Sequence, residues 1–169
     1  MKKRTLALGI GLLISAALAS IAAPPDPVAT RFVGTWRLVS TTQRLADGSQ
    51  RANPKFGPNG QGYLMYTGTH MCAVLVRPDR PQWGSEQTPS EQEVRSAIDG
   101  LVAYCGAYEV DSKQGLVIHH VEVDRVPNAV GTLRKRHFMF SGNRLILRLP
   151  DPLPEGVVES SLTWERIEK

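Results

Sequence analysis

Val33-Gly34-Thr35-Trp36-Arg37-Leu38-Val39-Ser40-Thr41-Thr42-Gln43-Arg44 reads as a strand. Trp36 and Leu38 fall on alternate positions with Arg37 and Val39 between them, and Ser40 continues the phase. A period of two sends one set of side chains to a buried face and the other to solvent. Asp47-Gly48 then supplies a turn.

The same pattern recurs along the chain. Ser49 to Asn59, with two Pro and two Asn, is an irregular loop. Gly60 to Thr67 and His70 to Val76 form two strands joined tightly at Gly68, rich in the Tyr, Met, Val and Thr that suit a half-buried pleated surface. Further strands are Ala103 to Val110, Leu116 to Asp124, Thr132 to Phe140, Arg144 to Leu149 and Glu159 to Ile167. Asp111 to Gly115, Val126 to Gly131, Ser141-Gly142-Asn143 and Pro150 to Gly156 are the turns and loops between them.

One segment breaks the rhythm. Arg77-Pro78-Asp79-Arg80-Pro81 is a stiff, charged connector, followed by Thr88-Pro89-Ser90-Glu91 as a helix start with Thr88 as N-cap. Val94, Ala97, Ile98 and Leu101 then recur at helical spacing, and Gly100 is a stop. This helix is expected to pack its apolar face on the strands; the other reading makes Arg77 to Gly100, with Trp83, a cover for a barrel mouth. The sum is an all-β chain: eight antiparallel up-and-down strands with one short helix between strands 3 and 4. Closure into a barrel removes the exposed edges; a two-sheet sandwich carries the same local signals.

Here the chain resembles a known group. Val33 to Ser40, with its Gly-x-Trp opening, resembles the first strand of lipocalins and other calycins. More narrowly, the chain is similar to the bacterial and fungal lipocalin-like domain family. The matching stretches are Gly62 to Thr67, His70 to Ala73, Arg77 to Pro81, Tyr104 to Tyr108, His119 to Val123 and Leu162 to Arg166, in family order across residues 33–167. The resemblance implies a lipocalin-like β-barrel and no particular activity, since fold does not fix chemistry. It also implies structural roles for Trp36, which would close one barrel end, and for Arg166, which would lie across its ring.

Residues 1–23 read as a cleaved signal peptide rather than part of the fold. Met1-Lys2-Lys3-Arg4 is basic, Thr5 to Ile21 is apolar, Ala22 and Ala23 are small, and Pro24-Pro25 stops any helix. An uncleaved membrane anchor is the rival reading. Cleavage would send the mature chain to the periplasm or outside the cell, with residues 24–32 as a lead before the barrel and no membrane span. The chain has 20 Lys and Arg against 16 Asp and Glu. Three of the basic residues leave with the signal, so the mature domain is nearly neutral and offers no electrostatic case for nucleic acid. In an oxidising compartment Cys72 and Cys105 would either bridge or stand as two small hydrophobes. A bridge would contribute roughly 3.5–4 kcal/mol.

If Trp36 and Leu38 point inward, a consistent phase lines the lumen with Leu64, Tyr66, Met71, Ala73, Leu75, Tyr104, Gly106, Tyr108, His119, Val121 and Val123. It adds Arg136, Phe138, Phe140, Leu145 and Leu147. The ligand-binding candidates among these are Leu64, Tyr66, Met71, Ala73, Tyr104, Tyr108, His119, Val121, Arg136 and Phe138. An apolar cavity with sparse polar groups suits a small hydrophobic or amphipathic molecule. Arg136 could hold an anion, and His119 and Tyr66 could take part in proton transfer or hydrogen bonding. The leading expectation is therefore an exported binding protein. An isomerase or cyclase built on His119, Arg136 and Tyr66 is the alternative, and a ligand-free structural barrel is the third reading. His120 and Glu122 share one strand face, but two ligands make no closed metal site. No phosphate loop, His-Glu-x-x-His, Cys-x-x-Cys or Gly-x-Ser-x-Gly occurs, and no cofactor is implied.

Overall fold

The computed structural model describes residues 26–168; the expected signal segment, residues 1–23, lies outside them. The strands are β1 (Gly34–Leu45), β2 (Gln50–Ala52), β3 (Gln61–Tyr66), β4 (His70–Val76), β5 (Leu101–Asp111), β6 (Leu116–Asp124), β7 (Leu133–Ser141), β8 (Arg144–Arg148) and β9 (Val157–Glu168). Helices are α1 (Pro27–Thr30) and α2 (Glu91–Asp99), with a 3-10 turn at Pro127–Ala129. Every neighbouring pair is antiparallel, and β9 returns to pair with β1, which closes eight strands into a barrel. The small β2 stands outside that ring, folded back on the far half of β1 (Thr42 opposite Ala52). A sandwich is thereby replaced by a closed sheet in which no long edge is left unpaired.

Three expectations about helices are corrected. The helix placed between strands 3 and 4 lies between β4 and β5, because the Pro- and Asn-containing stretch read as loop donates the extra strand β2; α1 is a further helix. The N-cap is Ser90, not Thr88: its hydroxyl accepts from the Glu93 N–H while the Glu93 carboxylate accepts from the Ser90 N–H, a full capping box. Nor does α2 bury its apolar face. Val94 and Ile98 are 40% and 42% exposed, and none of the helix's residues is buried.

The two barrel ends differ in how the chain turns. Short hairpins at residues 67–69, 112–115 and 142–143 lie at the end where β1 begins. The long connections, residues 46–60, 77–100, 125–132 and 149–156, lie at the other. The first end is closed by the segment read as a lead: Phe32 is fully buried and meets Tyr66, Phe138 and Phe140 edge-to-face with ring centres 5.0–5.2 Å apart. Trp36 Nε1 donates to the Phe32 carbonyl at 2.8 Å, and the Arg166 guanidinium lies 4.0 Å from the centre of the Trp36 ring. Arg166 also donates to the carbonyls of Val33 (2.6 Å) and Arg31, fastening the segment across the barrel floor.

Two bulges reset the inward phase. On β1, Leu38 faces Trp164 but Ser40 faces Thr163, so Val39 is the extra residue. Beyond it Thr41 and Gln43 are buried, in place of the Ser40 that simple alternation puts inside. On β6, Cys105 faces Val123 but Gly106 faces Val121, leaving Glu122 unopposed. Val123, expected inside, is therefore 64% exposed, and Asp124 turns in, its side chain 2% exposed.

Candidate functional site

Above the aromatic floor the lumen holds a cavity of about 200 Å³ that opens among the long connections. Its walls are mainly apolar, from Leu64 and Ala73 on β3 and β4 to Leu147, Leu162 and Trp164 on β8 and β9, with Phe56 of the β2–β3 loop at the mouth. Arg134 and Arg136 enter from β7, two residues apart and hence on one face, and Tyr104 enters from β5. Lys55 and Asn53 complete the polar side.

The candidate residues from the sequence divide between two layers. Leu64, Ala73, Tyr104 and Arg136 line the cavity. Tyr66, Tyr108 and Phe138 pack around Phe32 in the floor, and Met71 and Val121 are buried in the same apolar core. His119 joins the layers. Its Nε2 lies 2.8 Å from the Tyr66 hydroxyl and its Nδ1 2.9 Å from the Tyr104 hydroxyl, all three side chains being buried. Burial, aided by the nearby Arg136 and Arg134 charges, lowers its pKa to about 3, so the imidazole is neutral at physiological pH. Burial likewise raises the phenol pKa values of Tyr66 and Tyr104.

Each ring nitrogen meets one phenol hydroxyl, so one of the two phenols donates to the neutral imidazole and the other accepts from it. Both nitrogens are engaged within the wall.

Three features escaped the sequence reading. Arg134 donates to Asp124 Oδ2 at 2.6 Å and lies 4.1 Å from the centre of the Tyr104 ring. Its position two before Arg136 was a usable signal; the inward turn of Asp124 was not, because the Glu122 bulge causes it. Trp164 sits two before Arg166 on the inward face, buried, with no hydrogen-bond partner for Nε1 among the described residues. Arg136 has no carboxylate partner among the described residues; its one hydrogen bond is to the neighbouring Lys135 carbonyl at 2.6 Å, and burial lowers its pKa. On the outer wall, His120 pairs with Glu109 (3.4 Å) and Glu122 with His70 (3.7 Å), not with each other. Cys72 and Cys105 lie directly opposite on β4 and β5 and are disulfide-bonded.

Comparison with known proteins gives the geometry a family. A 4'-hydroxy-3'-methoxypropiophenone carrier protein of Aspergillus oryzae is 30% identical over 107 residues, covering 57% of this chain and 96% of that protein. Among solved structures, a lipocalin-like protein from Bacteroides uniformis matches with a TM-score of 0.41 at 13% identity, covering 81% of this chain and 99% of that one. A fatty acid transporter matches with a TM-score of 0.36 at 12% identity, covering 83% and 98%. The family model for the lipocalin-like domain matches residues 33–167, and the chain belongs to that lipocalin-like family.

Proposed function

We propose that this protein is an exported carrier that holds a small amphipathic molecule, about the size of a single substituted ring, in the cavity at the open end of its barrel. The observation that carries the reading is the cavity itself: about 200 Å³, apolar on most sides, with Arg136 and Tyr104 at one wall. That volume is below the roughly 300–1,000 Å³ of pockets for drug-sized ligands, which favours a one-ring molecule over a long chain. A relative named as a carrier of a one-ring aryl ketone supports the same size class. The engagement of both His119 nitrogens in the wall favours holding over proton transfer.

Export is supported by the basic and apolar run at Met1 to Ala23 and by the Cys72–Cys105 bridge, a bond that persists in oxidising compartments. Among the described residues no helix is long and apolar enough to cross a membrane.

Native mass spectrometry of the protein recovered from the periplasmic fraction or the medium tests both parts. A mature mass lacking residues 1–22 or 1–23, carrying a released molecule of one-ring size, is the expected result. Full-length protein confined to the cytoplasm would overturn export. Failure to bind any one-ring amphipath in solution, read by Trp164 emission, would overturn the carrier role.

A further inference from the structure

The polar side chains that line the cavity are one-sided in their chemistry. Lys55, Arg134 and Arg136 are cationic donors, and Trp164 carries an N–H with no acceptor among the described residues. Tyr104 has its hydroxyl engaged with His119 Nδ1. The one acceptor among them, Asn53 Oδ1, already takes the Lys55 backbone N–H at 3.0 Å. Asp124, the nearby carboxylate, is occupied by Arg134 and by the Val126 N–H. Arg136, half-buried in the wall, therefore has no counter-charge among the described residues, and an anion would complete it.

We infer that the cavity selects a small oxyanion, a carboxylate or acidic phenolate on a one-ring apolar body, with Arg136 donating to the charged oxygen. The inference rests on the carrier reading above and narrows it. A neutral amphipath would leave the Arg136 charge unmatched. An anionic oxygen answers it, and hydrogen bonds to charged groups are the stronger class. The apolar ring would lie toward Leu147, Leu162 and Trp164.

The test compares benzoate with methyl benzoate, equal in ring and differing in charge, by calorimetry and Trp164 emission on the intact mature protein. Benzoate is expected to bind about tenfold or more tightly. In Arg136→Met that ratio is expected to fall to about one, whereas Arg136→Lys, which keeps the charge, retains part of it. Far-UV circular dichroism checks that each variant is folded, and the lysine variant keeps the test decisive should the methionine variant unfold. A wild-type protein that binds the ester as well as the acid, or an Arg136→Lys variant that loses all preference along with ester binding, overturns the inference. Ester binding without benzoate binding would sink this inference and leave the carrier reading standing; no binding of either, with no co-purified molecule, removes both. A third probe, para-hydroxypropiophenone titrated across its own ionisation, separates the two sources. Affinity that follows the ionised fraction admits phenolates, and affinity indifferent to it restricts the site to carboxylates.

Discussion

A Cβ on Gly106 would lie 1.8 Å from the backbone oxygen of His120. Two strands come this close because the Glu122 bulge draws β6 onto β5 at that point, and only a residue without a side chain admits the approach. The same bulge turns Asp124 inward to meet Arg134, so the polar wall of the cavity depends on a glycine that touches none of it.

Gly106→Ala is accordingly expected to destabilise the protein by about 3 kcal/mol or more, since the obstacle is backbone rather than a side chain that can move aside. Gly68→Ala is the control: nothing lies within 4 Å of its Cβ position, and a change within about 0.5 kcal/mol is expected. Urea denaturation of the two variants makes the comparison. Equal midpoints would show that the bulge does not require Gly106.

Arg166 ties the barrel floor in three ways, stacking on Trp36 and donating to the Val33 and Arg31 carbonyls. Arg166→Met should cost about 1–3 kcal/mol, the sum of a partly solvated cation–π contact and lost charged hydrogen bonds. Because the floor and the cavity are at opposite barrel ends, ligand affinity should be unchanged under conditions where the variant is folded. A variant that loses binding while fully folded would refute that separation of roles.

Reducing the Cys72–Cys105 bond, which closes a separation of 33 residues, should lower stability by roughly 3–4 kcal/mol. Denaturation with and without reductant measures it. The Cys72→Ala, Cys105→Ala double variant should start at the reduced value and ignore the reductant. A wild-type curve indifferent to reductant would show that the bridge adds nothing to the fold.

Eight strands were legible because Trp36/Leu38, Leu64/Tyr66 and Phe138/Phe140 keep strict alternation, and each hairpin carries its own turn residues. What alternation could not show was where it fails. The extra residues Val39 and Glu122 exchange inside for outside beyond them, which hid Thr41, Gln43 and Asp124 and misplaced Val123. Phe32 was hidden for another reason: a lone aromatic in a Pro-rich lead has no periodicity, and its burial comes from a socket built by Tyr66, Phe138 and Phe140 on distant strands. The division of the lumen into a filled floor and an open cavity follows from that one insertion, so Tyr66 and Arg136 shared a face in the sequence yet belong to different layers.

His119 should make the fold acid-sensitive. Its pKa falls from 6.5 to about 3 on folding because burial and the arginine charges disfavour the imidazolium. Between those values the unfolded chain binds a proton that the folded chain does not, so the His119 contribution falls as pH drops through that window and is constant above it. At about 1.4 kcal/mol per pH unit, the loss from this residue approaches roughly 3–4 kcal/mol by pH 4. His119→Gln keeps a donor and an acceptor between Tyr66 and Tyr104 but cannot titrate. It is expected to flatten the acid limb of the stability–pH curve, whatever small offset it brings near neutrality. Urea midpoints taken from pH 7 down to pH 4 provide the measurement. An unchanged acid limb in the variant would mean that His119 takes up a proton as readily in the folded protein as in the unfolded chain.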